Sequence, residues 1–188
     1  RDENGEPTGV LRENARNLVT PLIPETTDEQ KVDLVVDLGE LLLSQGVTSI
    51  CDMGNLDPSD NYDIYTKAVE KGFRQKVGIY YMWDFYAGDN SFRFPEARKN
   101  RDQQIFTAGL KLIGDGSVSG RTAWMNEPYL GSEDEVGFPV CSDELMESAI
   151  QFCKENHCQL SMHAMGGHAI DRIVDRVYDE EKWTDGDV

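Results

Sequence analysis

Gly109-Leu110-Lys111-Leu112-Ile113-Gly114-Asp115-Gly116-Ser117 is the stretch on which the fold turns. An apolar run stops at a glycine-rich turn, with a lysine inside the run and an aspartate where it breaks. The run has the length of a buried strand rather than a helix. A lysine inside such a strand is costly to bury as an unpaired cation. Lys111 therefore needs a carboxylate partner, for which Asp52 and Asp115 are the candidates, or chemistry that removes its charge. Gln159-Leu160-Ser161-Met162-His163-Ala164-Met165-Gly166-Gly167 repeats the design with a histidine at the strand end. Lys111 and His163 are thus expected to face one site at the C-terminal ends of parallel strands.

Working outward, the chain alternates helix and strand. Thr27-Asp28-Glu29-Gln30 has the capping-box form. The helix behind it places Val32, Val35, Val36, Leu38, Leu42 and Leu43 at helical spacing, and Gly46 is set to end it. Residues 47–51 read as a strand ending at Asp52, 61–71 as a helix stopped by Gly72, and 76–83 as a second strand. Residues 95–106 read as a charged helix and 108–113 as the third strand. After a long excursion over residues 114–141, residues 142–156 read as a helix, 158–162 as the fourth strand and 167–178 as a helix. A short amphipathic helix over 10–18 is expected near the start, and an acidic, frayed tail over 179–188.

Strands alternating with helices mean a parallel sheet covered by helices. Strand starts near 47, 76 and 108 match the roughly 30 residues per unit of a (β/α)8 barrel. Four strands do not close such a barrel, so the fold class expected is α/β, a partial TIM barrel of about four parallel strands with flanking helices. A small doubly wound sheet is the other solution. Both put function at the C-terminal strand ends, where Asp52, Asp84, Asp115 and His163 lie.

A net charge of −17 excludes the usual nucleic-acid binder. No apolar run approaches the roughly 20 residues of a membrane helix, and the polar start carries no signal-peptide pattern. The four cysteines form no C-x-x-C pair, and reduced thiols in a cytoplasmic protein are the plain reading. A metal knuckle of Cys153, His157 and Cys158 is the sharper alternative. Open sheet edges would favour a homo-oligomer.

Asp115 and Arg121 bracket the loop Gly116-Ser117-Val118-Ser119-Gly120 and are the candidate catalytic pair; Lys111 and His163 are the candidate metal ligands. Such a loop can cradle an anion, which is what a doubly wound domain would do with residues 114–120. Trp83, Tyr81 and Trp124 read as packing residues near strand ends. His168 reads as a supporting or surface residue. There is no G-x-S-x-G, H-E-x-x-H or G-x-G-x-x-G, which weakens nucleophilic-serine, zincin and dinucleotide readings.

Four segments taken together resemble the amidohydrolase superfamily of metal-dependent hydrolases, in the branch of N-substituted formamide deformylases and exoenzyme regulatory protein-like chains. They are Arg1-Asp2 with Gly5-Glu6-Pro7-Thr8-Gly9-Val10-Leu11; Gly46 to Gly54; Lys111 to Ser117 with Arg121-Thr122-Ala123; and His163-Ala164-Met165-Gly166 with Ala169. The resemblance implies that residues 1–188 are the central segment of a barrel domain, approximately strands two to five. It also implies one or two divalent ions, usually zinc, and hydrolysis of a small-molecule amide by metal-activated water. Lys111, carboxylated by carbon dioxide, and His163 would hold metal. The family's first-strand His-x-His pair, its sixth-strand histidine and its eighth-strand aspartate have no counterpart here, so the 188 residues alone are expected to be inactive. A regulatory or binding module on a decayed barrel is the alternative.

Overall fold

The structure is a computed structural model and describes residues 3–9, 11, 18–56 and 58–184. Most of the helix expected over residues 10–18 therefore lies outside the described residues; Thr20–Leu22 forms a single 3-10 turn.

Helix α1, Asp28–Ser44, begins where the capping box places it. The Thr27 amide donates to Gln30 Oε1 (2.9 Å), and the Gln30 amide donates to Thr27 Oγ1 (3.3 Å). It ends in a left-handed Gly46 (φ 80°), with Gly46 N–H donating to Leu43 O and Val47 N–H to Leu42 O. That pair of bonds satisfies the last carbonyls of the helix. Val32 is buried and Val35 and Val36 pack on the core, but Leu38 points outward. Gly39 takes the inward position instead, because a side chain there would collide with the Phe73 ring (2.6 Å).

The remaining elements are β1 (Ser49–Asp52), α2 (Tyr62–Glu70), β2 (Lys76–Met82), β3 (Ile105–Ile113), α3 (Asp143–Asn156), β4 (Gln159–His163) and α4 (Gly167–Val177). The four strands are parallel and follow one another in the order β1-β2-β3-β4. A doubly wound sheet reverses its strand order at a switch point; this one never reverses. It curls instead. The Ser161 hydroxyl on β4 donates to the Met53 thioether at the end of β1, at 3.6 Å. In a flat sheet those strands would stand about 14 Å apart, three spacings of about 4.8 Å. The result is a half-barrel with helices on its convex side and the strands' inner faces lining a concave side.

The expected helix over 95–106 does not form. Only Glu96–Arg98 makes a 3-10 turn, and β3 starts at Ile105, three residues earlier than the apolar run suggested. The segment holds good helix formers in Glu96, Ala97 and Lys99, but between Glu96 and Gln104 Ala97 is the one apolar residue. No face exists to bury. Asn100 Oδ1 accepts from the Asp102 amide and turns the chain.

One irregularity sets the site. Ile79 pairs with Thr107, but Tyr80 pairs with Gly109, so β3 carries one extra residue, Ala108, opposite β2. Before this bulge Phe106 and Ala108 pack with Tyr80 in a small concave-side cluster. Beyond it Leu110 and Leu112 join the helix-side core, at 0% exposure. Side chains alternate along a strand, and one extra residue inverts the alternation. Without it, continuing from Phe106 and Ala108, Leu110 and Leu112 would line the concave face and Lys111 would lie under the helices.

Of the tail expected over 179–188, residues 185–188 lie outside the described residues, and residues 179–184 are better anchored than their composition suggests. Trp183 packs on the core and its indole N–H donates to Cys158 O (2.9 Å), while Glu180 pairs with Lys154 and Arg176. Among the described residues, no helix is long and apolar enough to cross a membrane.

Candidate functional site

Lys111 sits between Met82 and Ser161 in register, and His163 is level with Ile113, one strand across and two residues further on. Strand spacing and rise put their Cα atoms roughly 8 Å apart, on the same rim of the half-barrel. Both carboxylates that could have answered Lys111 are engaged elsewhere. Asp52 accepts from the Gly54 amide (2.9 Å) and Asn61 Nδ2 (2.9 Å). Asp115 is consumed by backbone amides, described below. Among the described residues no carboxylate forms an ion pair with Lys111, and burial alone pushes its pKa down from the ordinary lysine value.

That shift has a consequence for stability. The folded pKa lies below the unfolded one, so between the two the unfolded chain binds more protons than the folded chain. The contribution of Lys111 to stability therefore rises with pH across that window, while burial of the Cys141 and Cys153 thiols, which raises their pKa, contributes in the opposite direction. Lys111→Met, which keeps the stem and removes the charge, is expected to raise the urea midpoint at pH 7, by a margin over the unsubstituted chain that shrinks at pH 10. Midpoints measured at pH 7 and pH 10 check this.

His163 Nε2 lies 3.0 Å from Gly116 O. A carbonyl only accepts, so Nε2 carries a proton, and in the neutral ring the lone pair is on Nδ1. The main chain is tied as well, since Gly114 N–H donates to His163 O (2.8 Å).

Asp115 is completely buried, at 0% exposure. Its Oδ1 accepts from Met165 N–H (2.9 Å), and its Oδ2 accepts from Trp124 N–H (2.8 Å) and Gly166 N–H (2.8 Å). This one side chain joins the end of β3, the excursion and the β4–α4 turn. Arg121 is held within the excursion, donating to Glu135 Oε2 (2.6 Å) and Leu130 O (3.1 Å). The excursion over residues 114–141 is pinned back to the strand end by a bridge between Asp115 and Pro139 and by Val140 N–H on Gly114 O.

The Gly-Ser loop turns its own donors inward. Gly116 N–H goes to Thr122 O, Ser117 N–H to Thr122 Oγ1 and Gly120 N–H to Ser117 Oγ. It does not present them together to an anion. Trp83 and Tyr81 face the helices, bonded to Ser148 and Asp60, whereas Trp124 lies at the rim, stacked on His168 (3.9 Å between centroids). Asp84 is exposed on the turn after β2. The Cys153–His157–Cys158 knuckle is not a metal site: the Cys153 thiol bonds Gln159 O, and the His157 ring lies against Trp183 O.

Among the described residues no three His, Cys, Asp or Glu side chains are grouped to hold a metal ion. Lys111 and His163, the two residues expected as ligands, stand on one rim without belonging to such a group. The interlocked triplet 114–116, which grips the turn after β4, was not visible in the sequence; a polar residue closing each strand was the one signal of it.

Comparison with known proteins agrees with this fold. The plant protein LONG AFTER FAR-RED 3 of Arabidopsis thaliana is 24% identical over 196 residues, covering 100% of this chain and 33% of its own length. The putative amidohydrolase YtcJ of Bacillus subtilis is 24% identical over 183 residues, covering 94% and 33%. The chain thus spans about a third of the curated relatives it matches. Crystal structures of uncharacterized metal-dependent hydrolases share the fold. That from Pyrococcus furiosus gives a TM-score of 0.63 at 23% identity over 88% of this chain and 34% of its own. That from Pyrococcus horikoshii gives 0.59 at 23% over 87% and 33%. The model of the Amidohydrolase family matches residues 1–188, and the chain, a half-barrel in fold, belongs to that family.

Proposed function

We propose that these residues form strands two to five of a longer metal-dependent amidohydrolase that hydrolyses the C–N bond of a small amide, with N-substituted formamides the first substrates to test. The observation that carries this reading is a lysine without a carboxylate partner on the same concave rim as a histidine with a free Nδ1. The open side supports the segment reading. Among the described residues β4 pairs with β3 alone, and beside it runs a groove of about 500 Å³ lined by Leu160, Met162, Ile173, Val177 and Trp183. A further strand and helix would fill that groove and pair that edge.

Lys111 and His163 would hold a divalent ion, zinc by the resemblance, which supplies Lewis acidity toward a carbonyl and lowers the pKa of water. Burial raises the fraction of neutral Lys111 amine. Carbon dioxide can add to that neutral amine: an N–C bond forms as one C–O π bond opens, one proton leaves nitrogen for solvent, and the neutral amine becomes an anionic carbamate.

The test is metal analysis of the longer protein with a panel of N-formyl and N-acyl amines, reading formate or acid release. Turnover of a formamide with one or two equivalents of zinc is expected, and His163→Asn should lower it about a hundredfold or more, since even supporting residues of metal sites give tenfold to a hundredfold effects. The 188 residues alone should give none. Undiminished turnover in both His163→Asn and Lys111→Met overturns the assignment.

A further inference from the structure

We infer that Asp115 is a positioning residue: it does not meet substrate, but fixes the turn that orients His163, so that Nδ1 is the nitrogen offered to the concave face. Three consecutive residues grip the same short segment. Gly114 N–H holds the His163 main chain, Gly116 O takes the proton of the His163 ring, and Asp115 holds the two amides that follow, Met165 and Gly166. Asp115 Oδ1 also lies 3.8 Å from His163 Nε2, beyond hydrogen-bond reach, so it acts on the ring through the turn rather than by a direct bond. The third donor, Trp124 N–H, brings in the excursion, whose indole stacks on His168. Because Asp115 is wholly buried and accepts from three main-chain donors, it presents no exposed edge to a reacting group. What it controls is the neighbour's ring. Residues that orient metal-binding histidines govern tautomer and affinity, so the consequence for the metal rests on the function proposed above, while the tautomer does not.

The experiment is ¹H–¹⁵N long-range correlation of the histidine rings in the 188-residue chain, with Co²⁺ alone as the metal probe. In the unsubstituted chain His163 is expected as the Nε2–H tautomer; an Nδ1–H ring overturns the inference without recourse to any variant. In Asp115→Asn an amide NH₂ replaces one acceptor oxygen and opposes main-chain N–H groups. The expected result is a mixed tautomer and a roughly tenfold higher Co²⁺ concentration for half-broadening of His163. Asp52→Asn, at the equivalent end of β1, should leave the His163 signals unmoved. If Asp115→Asn lowers stability but leaves the His163 tautomer and Co²⁺ response unchanged, Asp115 is structural only and the inference fails, while the metal assignment stands. If the tautomer changes but neither chain responds to Co²⁺, the positioning role stands, and the metal assignment is decided by metal analysis of the longer protein.

Discussion

Gly109→Val should be among the most damaging single substitutions in this chain, lowering unfolding free energy by about 4 kcal/mol or more, a size reserved for steric or cavity failures in a core. A Cβ at position 109 would lie 1.8 Å from Gln159 O and 2.6 Å from its carbonyl carbon. Both are main-chain atoms of the neighbouring strand, so no rotamer change relieves the clash. Strands β3 and β4 would have to part where Gly109 pairs with Gln159. The Tyr80 hydroxyl bond to Gln159 Oε1 (2.7 Å) would go with them. Urea unfolding followed by tryptophan fluorescence reads the loss. A midpoint within experimental error of the unsubstituted chain would mean that β3 and β4 do not approach as described.

Trp83→Ala is expected to cost about 3–5 kcal/mol, the range for truncating a buried large aromatic. Trp83 leaves β2 on the helix side and is buried against Phe152, with ring centroids 4.7 Å apart, and against Phe92 at 6.3 Å. Its indole N–H donates to Ser148 Oγ (2.7 Å). Truncation empties the joint between β2, the loop carrying Phe92 and helix α3, and leaves a polar group beside the void. Trp83→Phe should recover most of the loss, since it restores the ring and forfeits only the hydrogen bond. Thermal unfolding of both variants separates these contributions. Equal losses for Ala and Phe would shift the weight from packing to the Ser148 bond.

Local chemistry made much of the architecture legible. The Thr27–Gln30 cap, Gly46 and the apolar strands announced themselves because each signal acts within a few residues. The stretch from Glu96 to Gln104 misled because helix propensity was present without an apolar face, and tertiary burial is what sustains most helices. The bulge at Ala108 was invisible: the pattern from Leu110 to Ile113 reads alike with or without an extra residue upstream, and only pairing with β2 reveals it. Lys111 and His163 could be singled out as strand-end residues. That Lys111 has no carboxylate answering it could not, because Asp52 and Asp115 find their donors through the folded chain. Asp115 itself looked like a reactive carboxylate at a strand end. Its actual partners are amides 9, 50 and 51 residues away, distances over which sequence pattern carries no information.

Helix α4 starts at a glycine that offers no side-chain cap. The first amides it would leave orphaned, those of His168 and Ala169, donate instead to Trp124 O. Its starting turn is thus completed by a residue more than forty positions upstream. Such a helix gains little from local nucleation, and the loop-closure entropy must be met first. The order of assembly follows: β3 and the excursion come together, and only then does the final helix become worth forming. That makes α4 a late-consolidating unit, whose amides should exchange with solvent in concert with residues 114–141 rather than on their own.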